Sequence, residues 1–255
     1  MSGRTVSKWT RVYADGYDIS GDSRSIGPLV NTFDEGDLTA FSHSVKGALP
    51  GHAMHGVGTL NGIFSDTAST GLHTIASGAG VMRTLMVAQG MRTEPAAGDP
   101  AYMGEFEQLG YQAEPAGGVY VNIPFGNSSA RASTFLYNNP WGVLLHAKAA
   151  ATAANSTASA GIDTNGGASA FGGYLVYQVF AGNGTATISV DDSADDSSYS
   201  ALSGATSGEI DFSTPTAGRV AIGRTASVRQ YLRWQISLNT ATSVTFALGF
   251  SRALF

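Results

Sequence analysis

Few residues in this chain have the type and spacing that chemistry requires. Cysteine is absent, which removes a thiolate nucleophile, a disulfide framework and any Cys-based zinc site. The five histidines are His43, His52, His55, His73 and His146. His52-Ala-Met-His55 has a three-residue spacing that can hold a metal on a helix, but it follows Pro50-Gly51 and lacks a nearby carboxylate, so it reads as loop or strand. Asp191-Asp-Ser-Ala-Asp-Asp196 offers the oxygens that calcium favours, yet it lacks the glycine and terminal glutamate of a calcium loop and reads as a solvated hairpin end. Glu105 and Glu107 share one face of an expected strand, Gly104–Gln108. Paired carboxylates can hydrolyse glycosides, but two acids at i and i+2 more often make the polar face of a sheet. No Gly-x-Ser-x-Gly elbow, phosphate-loop lysine or Gly-x-Gly-x-x-Gly turn occurs. The expectation is a non-enzyme with no catalytic, metal-binding or cofactor-binding residues.

The elements that would have to position any site point the same way. Of 255 residues, 43% are hydrophobic and 10% aromatic, enough for a real core, while 13% are charged against roughly 25% in an ordinary soluble domain. Gly, Ala, Ser and Thr dominate the rest. Such a chain suits many short strands, small-residue turns and wide surfaces buried against copies of itself. Val244, Phe246, Leu248 and Phe250 alternate onto one face of a terminal strand. Val228, Leu232, Trp234, Ile236 and Leu238 do the same on the strand before it, and Asn239–Ser243 is expected to join the two as a hairpin. Tyr174–Phe180 and Thr185–Val190 flank Gly182-Asn-Gly184, another expected hairpin turn. Further strands are expected at Ser7–Tyr13, Gly58–Phe64, Val81–Ala88, Gly118–Ile123 and Trp141–Ala147.

Helical signals are few. Leu38, Phe41, Val45 and Leu49 fall at helical intervals behind Asp37, so this segment reads as a short helix or as a loop that orders on contact. A second short helix is expected at Ser69–Ser77. Ala149–Ala160 and Ser193–Gly208 are of low complexity and read as exposed loops, with an Ala-rich helix the alternative for the first. The best division into lobes lies near Pro95, giving 1–95 and 96–255, the second ending in the terminal hairpin.

Charge is segregated. Ala149–Gly218 holds seven acids and no Lys or Arg, whereas Arg219–Phe255 holds five arginines and no acid. The blocks either pair within one fold or complement each other head to tail between subunits. On the second alternative, Asp191, Asp195, Arg229 and Arg233 are candidate assembly residues. The net charge of -5 disfavours wrapping of nucleic acid. No run of about 18 apolar residues is present to span a bilayer, and no signal-peptide pattern opens the chain, so no membrane partner is expected.

Several segments in order, Trp9–Gly21, Phe33–Thr39, Gly56–Asp66, Ala186–Asp195 and Val228–Trp234, together resemble the major tail proteins, or tail-tube proteins, of long-tailed bacteriophages. The resemblance implies a mainly β, tail-tube-like sandwich or barrel with one or two short helices and one or two β lobes. It implies a virion protein made in the host bacterial cytoplasm that self-assembles into stacked hexameric or trimeric rings. Its partners would be further copies, other tail proteins such as tape measure and tail terminator, and DNA passing through without specific binding. Asp34–Leu60 would then reach the adjacent ring, with Leu38, Phe41, Val45 and Leu49 as anchors; their alternative role is core packing. The rival expectations are a capsid decoration protein or another tail or fibre part, and a β-sandwich carbohydrate-binding module using Tyr137, Trp141 or Trp234.

Overall fold

The computed structural model describes residues 7–37, 39, 45, 48–68, 70–114, 120–128, 139–153, 156–157, 161–164 and 167–253. A 3-10 turn at Ser7–Trp9 leads into β1 (Thr10–Ala14), β2 (Tyr17–Asp18), β3 (Ser23–Asp37) and β4 (Ala48–Ile63), followed by a five-residue helix α1 (Leu72–Ala76). Then come β5 (Val81–Gln89), β6 (Pro100–Gln108), β7 (Gln112–Glu114), β8 (Tyr120–Ser128), β9 (Trp141–Ala151), β10 (Ser156–Thr157) and β11 (Ile162–Asp163). The chain closes with β12 (Gly173–Gly182), β13 (Thr185–Ser193), β14 (Ser200–Asp211), β15 (Thr216–Ile222), β16 (Tyr231–Leu238) and β17 (Val244–Arg252). The protein is mainly β, a sandwich of antiparallel sheets in which no barrel closes among the described residues.

The main sheet runs β15-β12-β17-β9-β6-β5-β1-β2, with β8, β4, β3 and β7 branching from β6. It carries strands from both sides of Pro95. A smaller sheet, β10-β16-β13-β14 with β11 beside β16, covers one end of it. Period-two alternation assigns successive residues to different cores. Leu175 and Val179 of β12 join Phe246, Leu248 and Phe250 of β17 and Ile188, Leu232 and Ile236 of the small sheet. Leu85 and Val87 of β5 pack with Leu60, Leu72, Phe106 and Ile123 under β4, β8 and α1. The intervening residues Tyr174 and Val176 face Met86 and Met103 in a third core.

That third core exists because the main sheet curls until β12 approaches β5 and the β1–β2 turn. Gln178, fully buried, bridges the approach: its amide donates to Thr84 O at 2.9 Å and its carbonyl accepts from Gly16 N at 2.7 Å. The turn at Gly16 has φ +85°, and an added Cβ would lie 2.4 Å from Thr216 N, so only glycine fits.

Several local expectations are corrected. Both expected hairpins are instead crossings between sheets: β12 and β17 lie in the main sheet, β13 and β16 in the small one. The crossings sit side by side, where the Asn183 carbonyl accepts from Thr242 N at 2.9 Å and Ser243 N at 3.2 Å. Ser193–Gly208 is no loop in its second half, since β14 pairs with β13 there. Trp141–Ala147 extends to Ala151, inside the stretch expected as loop or helix. The helix expected in Ser69–Ser77 is α1, shorter than its sequence span, with Leu72 buried beneath it.

Candidate functional site

The feature that most departs from a self-sufficient fold is the β3–β4 ribbon. Its ladder runs from Ser23↔Gly62 to Asp37↔Ala48, and at about 3.3 Å per residue the strands extend roughly 50 Å. β8 supports β4 only from Gly56 to Ile63. From His55 to Ala48, β4 therefore has β3 as its one strand neighbour among the described residues. No residue of β3 is fully buried. A two-stranded ribbon is marginal in water, so this arm needs an anchor at its root or a cover on its faces.

The anchor is Tyr102 of β6. Its fully buried hydroxyl lies 2.7 Å from both Val30 O and Gly56 O, donating between them, and accepts from Gly56 N at 3.1 Å. Val30 and Gly56 are register partners, so one phenol grips both strands where β4 parts from β8. Burial pushes the phenol pKa far up, which keeps the hydroxyl a donor. The ring stacks on Phe106 at 5.7 Å and meets Trp141 edge-on at 5.2 Å, fixing its direction.

Among the described residues no second layer covers the arm. Val45 is 76% exposed, Leu49 56% and Met54 41%. Leu38 and Phe41, the other expected anchors, lie outside the described residues. The helical spacing read through them does not govern this segment's end: Leu49 pairs with Gly36 and Ala48 with Asp37 as strand. Asp34, Glu35 and Asp37 are exposed along the same distal part of β3, and the Asp37 carboxylate, accepting from Thr39 N at 2.8 Å, is held below the usual carboxylate range.

At the other end of β3 an open cleft of about 420 Å³ is lined by Lys8, Arg11, Arg24, Ser25 and Gln89 among others. The Lys8 ammonium stands 4.6 Å from the Trp9 ring and the Arg24 guanidinium 4.9 Å from the Tyr120 ring, while Arg11 is paired with Glu94. A neighbouring cavity of about 610 Å³ contains Tyr17, Asp18, Lys148 and Phe180. Its charges are spoken for: Lys148 Nζ lies 2.7 Å from Asp18 Oδ2 and 4.7 Å from the Phe180 ring centre. Burial works against the Asp18 carboxylate, but Lys148 and Ser20 outweigh it and lower its pKa.

The remaining expected assembly residues have partners on their own chain, with Asp191 buried, Arg233 half-buried and Asp195 and Arg229 exposed. Arg233 pairs with buried Asp191 at 3.0 Å; Arg229 stands 3.7 Å from buried Asp192, whose other oxygen accepts from Arg229 N at 2.9 Å. Asp195 accepts from Ser193 Oγ, Ser197 N and Ser198 N, and the bonds from Ser198, Ser193 and Ser197 hold its carboxylate well below the usual range. Asp196 accepts from Tyr199 Oη and Gly161 N. The acidic run thus spends its oxygens on protein donors. The opposite-sign blocks meet within one fold here.

Other candidate residues are equally absorbed. His55 is buried within β4. Glu105 and Glu107 lie half-buried on β6. Trp141 packs against Tyr102, and Trp234 meets His146 edge-on at 4.5 Å; Tyr137 lies outside the described residues. His73 Nδ1 lies 2.7 Å from Tyr111 Oη beside Phe64. Sequence reading missed Tyr102 and Gln178, which carry no local signature beyond strand alternation. It also missed Arg252, whose guanidinium donates to Val228 O at 2.6 Å and to Thr164 Oγ1 at 2.7 Å, and whose pKa burial lowers to about 10.

No protein-family model and no curated protein matches this sequence. Among solved structures, the chain is similar to the Dit protein of phage SPP1, described as a paradigm of the hub adsorption apparatus in phages that infect Gram-positive hosts. The identity is 10%, the TM-score 0.34, and the match covers 95% of this chain and 98% of that one.

Proposed function

We propose that this chain is a non-enzymatic structural subunit of a phage tail, and that it assembles with copies of itself into stacked rings forming the tail tube, the conduit through which DNA leaves. The observation that supports this is the β3–β4 arm: it is clamped at its root by Tyr102, its distal half has no third strand among the described residues, and it presents Val45, Leu49 and Met54 to solvent. Apolar surface on a marginal ribbon is stabilised by docking on a neighbour, and repeated docking of identical subunits builds rings or stacks. The low charge content fits wide subunit contacts, because few charges must be desolvated. The net charge of -5 suits a conduit that DNA passes without sticking.

Negative-stain microscopy of the purified chain across a concentration series tests the proposal. Rings or tubes with a regular central hole are expected. A monomer at every concentration, or a small closed oligomer that never stacks, contradicts the tube and favours a decoration protein.

A further inference from the structure

The acidic part of the arm and the basic cleft lie at opposite ends of one strand. Asp34, Glu35 and Asp37 are exposed on distal β3, and in sequence Asp34–Leu49 carries three acids against one lysine, Lys46. The cleft contains Lys8 and Arg24 beside Arg11, whose guanidinium is already paired with Glu94. Among the described residues, Lys8 and Arg24 form no ion pair; aromatic rings are their charged heads' neighbours. Ten residues separate Arg24 from Asp34 and thirteen separate it from Asp37, so along an extended strand the two charge groups stand about 33 to 43 Å apart. At that span, with a Debye length of about 8 Å at physiological salt, they do not feel one another within a chain. The ladder from Ser23 to Asp37 keeps them apart by construction, since folding the tip back would break β3.

We infer that the cleft presenting Lys8 and Arg24 receives the acidic arm of a second copy of this chain. The inference rests on the self-assembly proposed above and adds the receiving site and the charge pairing that sets its register. Each copy then carries one donor arm and one acceptor cleft on different surfaces. Such a contact is heterologous: it closes into a ring or continues as an open stack, according to the rotation between copies. Exposed charges of this kind steer and align the encounter, while the apolar residues Val45 and Leu49 supply area to bury once aligned.

Two charge-reversed full-length chains test it, Lys8→Glu with Arg24→Glu in the cleft and Asp34→Lys with Asp37→Lys on the arm. Mass photometry and light scattering follow each across a concentration series, with circular dichroism melts to verify folding. Each reversed chain alone is expected to need at least tenfold more protein to assemble than the wild type. An equimolar mixture of the two should regain assembly, because reversed arm then meets reversed cleft. Raising salt should weaken the wild-type assembly. Neutral versions, Arg24→Gln and Asp34→Asn, give the same ordering should a reversed chain fail to fold. Reversed chains that assemble at wild-type concentrations, or a mixture that recovers nothing, overturn the docking while leaving self-assembly standing. A wild-type chain that stays monomeric removes the proposal beneath it as well.

Discussion

Phe246 on β17 and Leu49 on β4 are both large apolar residues on antiparallel strands, yet Phe246 is fully buried and Leu49 is 56% exposed. The backbone around them is the same; the number of neighbours is not. β17 is flanked by β9 and β12 and roofed by the small sheet, so Phe246 stacks on His146 at 4.1 Å and packs with Ile236 and Leu248. Distal β4 has β3 beside it and no layer above it among the described residues. Burying a side chain of that size contributes about 1.5 to 3 kcal/mol, which the sandwich end gains within the chain. On the proposed assembly, the arm gains it when a second copy arrives.

The strongest way to break this contrast is to empty the roofed end. Phe246→Ala is expected to cost about 3 to 5 kcal/mol, read as a lower urea midpoint, because the packed surroundings cannot close the hole. Next comes the hinge between the two regions. Tyr102→Phe removes the hydroxyl shared by Val30 and Gly56 and should cost about 1 to 3 kcal/mol. Its particular signature is faster amide exchange at the arm root than at β17, measured by hydrogen–deuterium exchange.

Acid should sharpen the contrast further. His146 is buried against Phe246 and Trp234, with Nδ1–H donating to Phe246 O at 3.1 Å. Burial lowers its pKa, partly opposed by that hydrogen bond. The folded state therefore resists a proton that the unfolded chain accepts, so this stability is whole above the ordinary value of 6.5 and is lost as pH falls below it. Asp18 acts in a lower window: its depressed pKa gives stability that is whole above 3.8 and is lost as pH falls through the folded value. Urea midpoints taken just above and one unit below pH 6.5 should fall in the wild type and fall less in His146→Leu. The smallest effect on folding belongs to the arm: Leu49→Ser should change stability by less than about 0.5 kcal/mol, as exposed sites do, while weakening assembly in mass photometry.

Which parts of this were legible in the sequence follows from the range of the forces involved. The burial of Val244, Phe246, Leu248 and Phe250 on one face was readable, because period two along a strand is a local property. The destination of the next strand was not. Gly182-Asn-Gly184 gives the same turn signal whether the chain returns to its own sheet or crosses to another, and Asn183 is committed to the crossing by Thr242 and Ser243, sixty residues away in sequence. At the end of the helical interval read from Leu38 to Leu49, ladder pairing wins, since Gly36 and Asp37 supply strand partners for Leu49 and Ala48; Leu38 and Phe41 lie outside the described residues. The small polar residues of Ser193–Gly208 read as a loop, but from Ser200 onward β13 alongside makes them a strand. Tyr102 and Gln178 matter through bonds to backbone groups distant in sequence, which no spacing announces.

The most direct test of the arm's role is to shorten it. In a chain whose residues between the register partners Phe33 and Ala53 are replaced by a tight Asn-Gly turn, the Tyr102 anchor at Val30 and Gly56 is retained while Asp34, Asp37, Val45 and Leu49 are gone. Sedimentation velocity of this chain beside the wild type should show a monomer with an unchanged melting transition against a concentration-dependent assembly. A shortened chain that assembles as readily as the wild type would contradict the account.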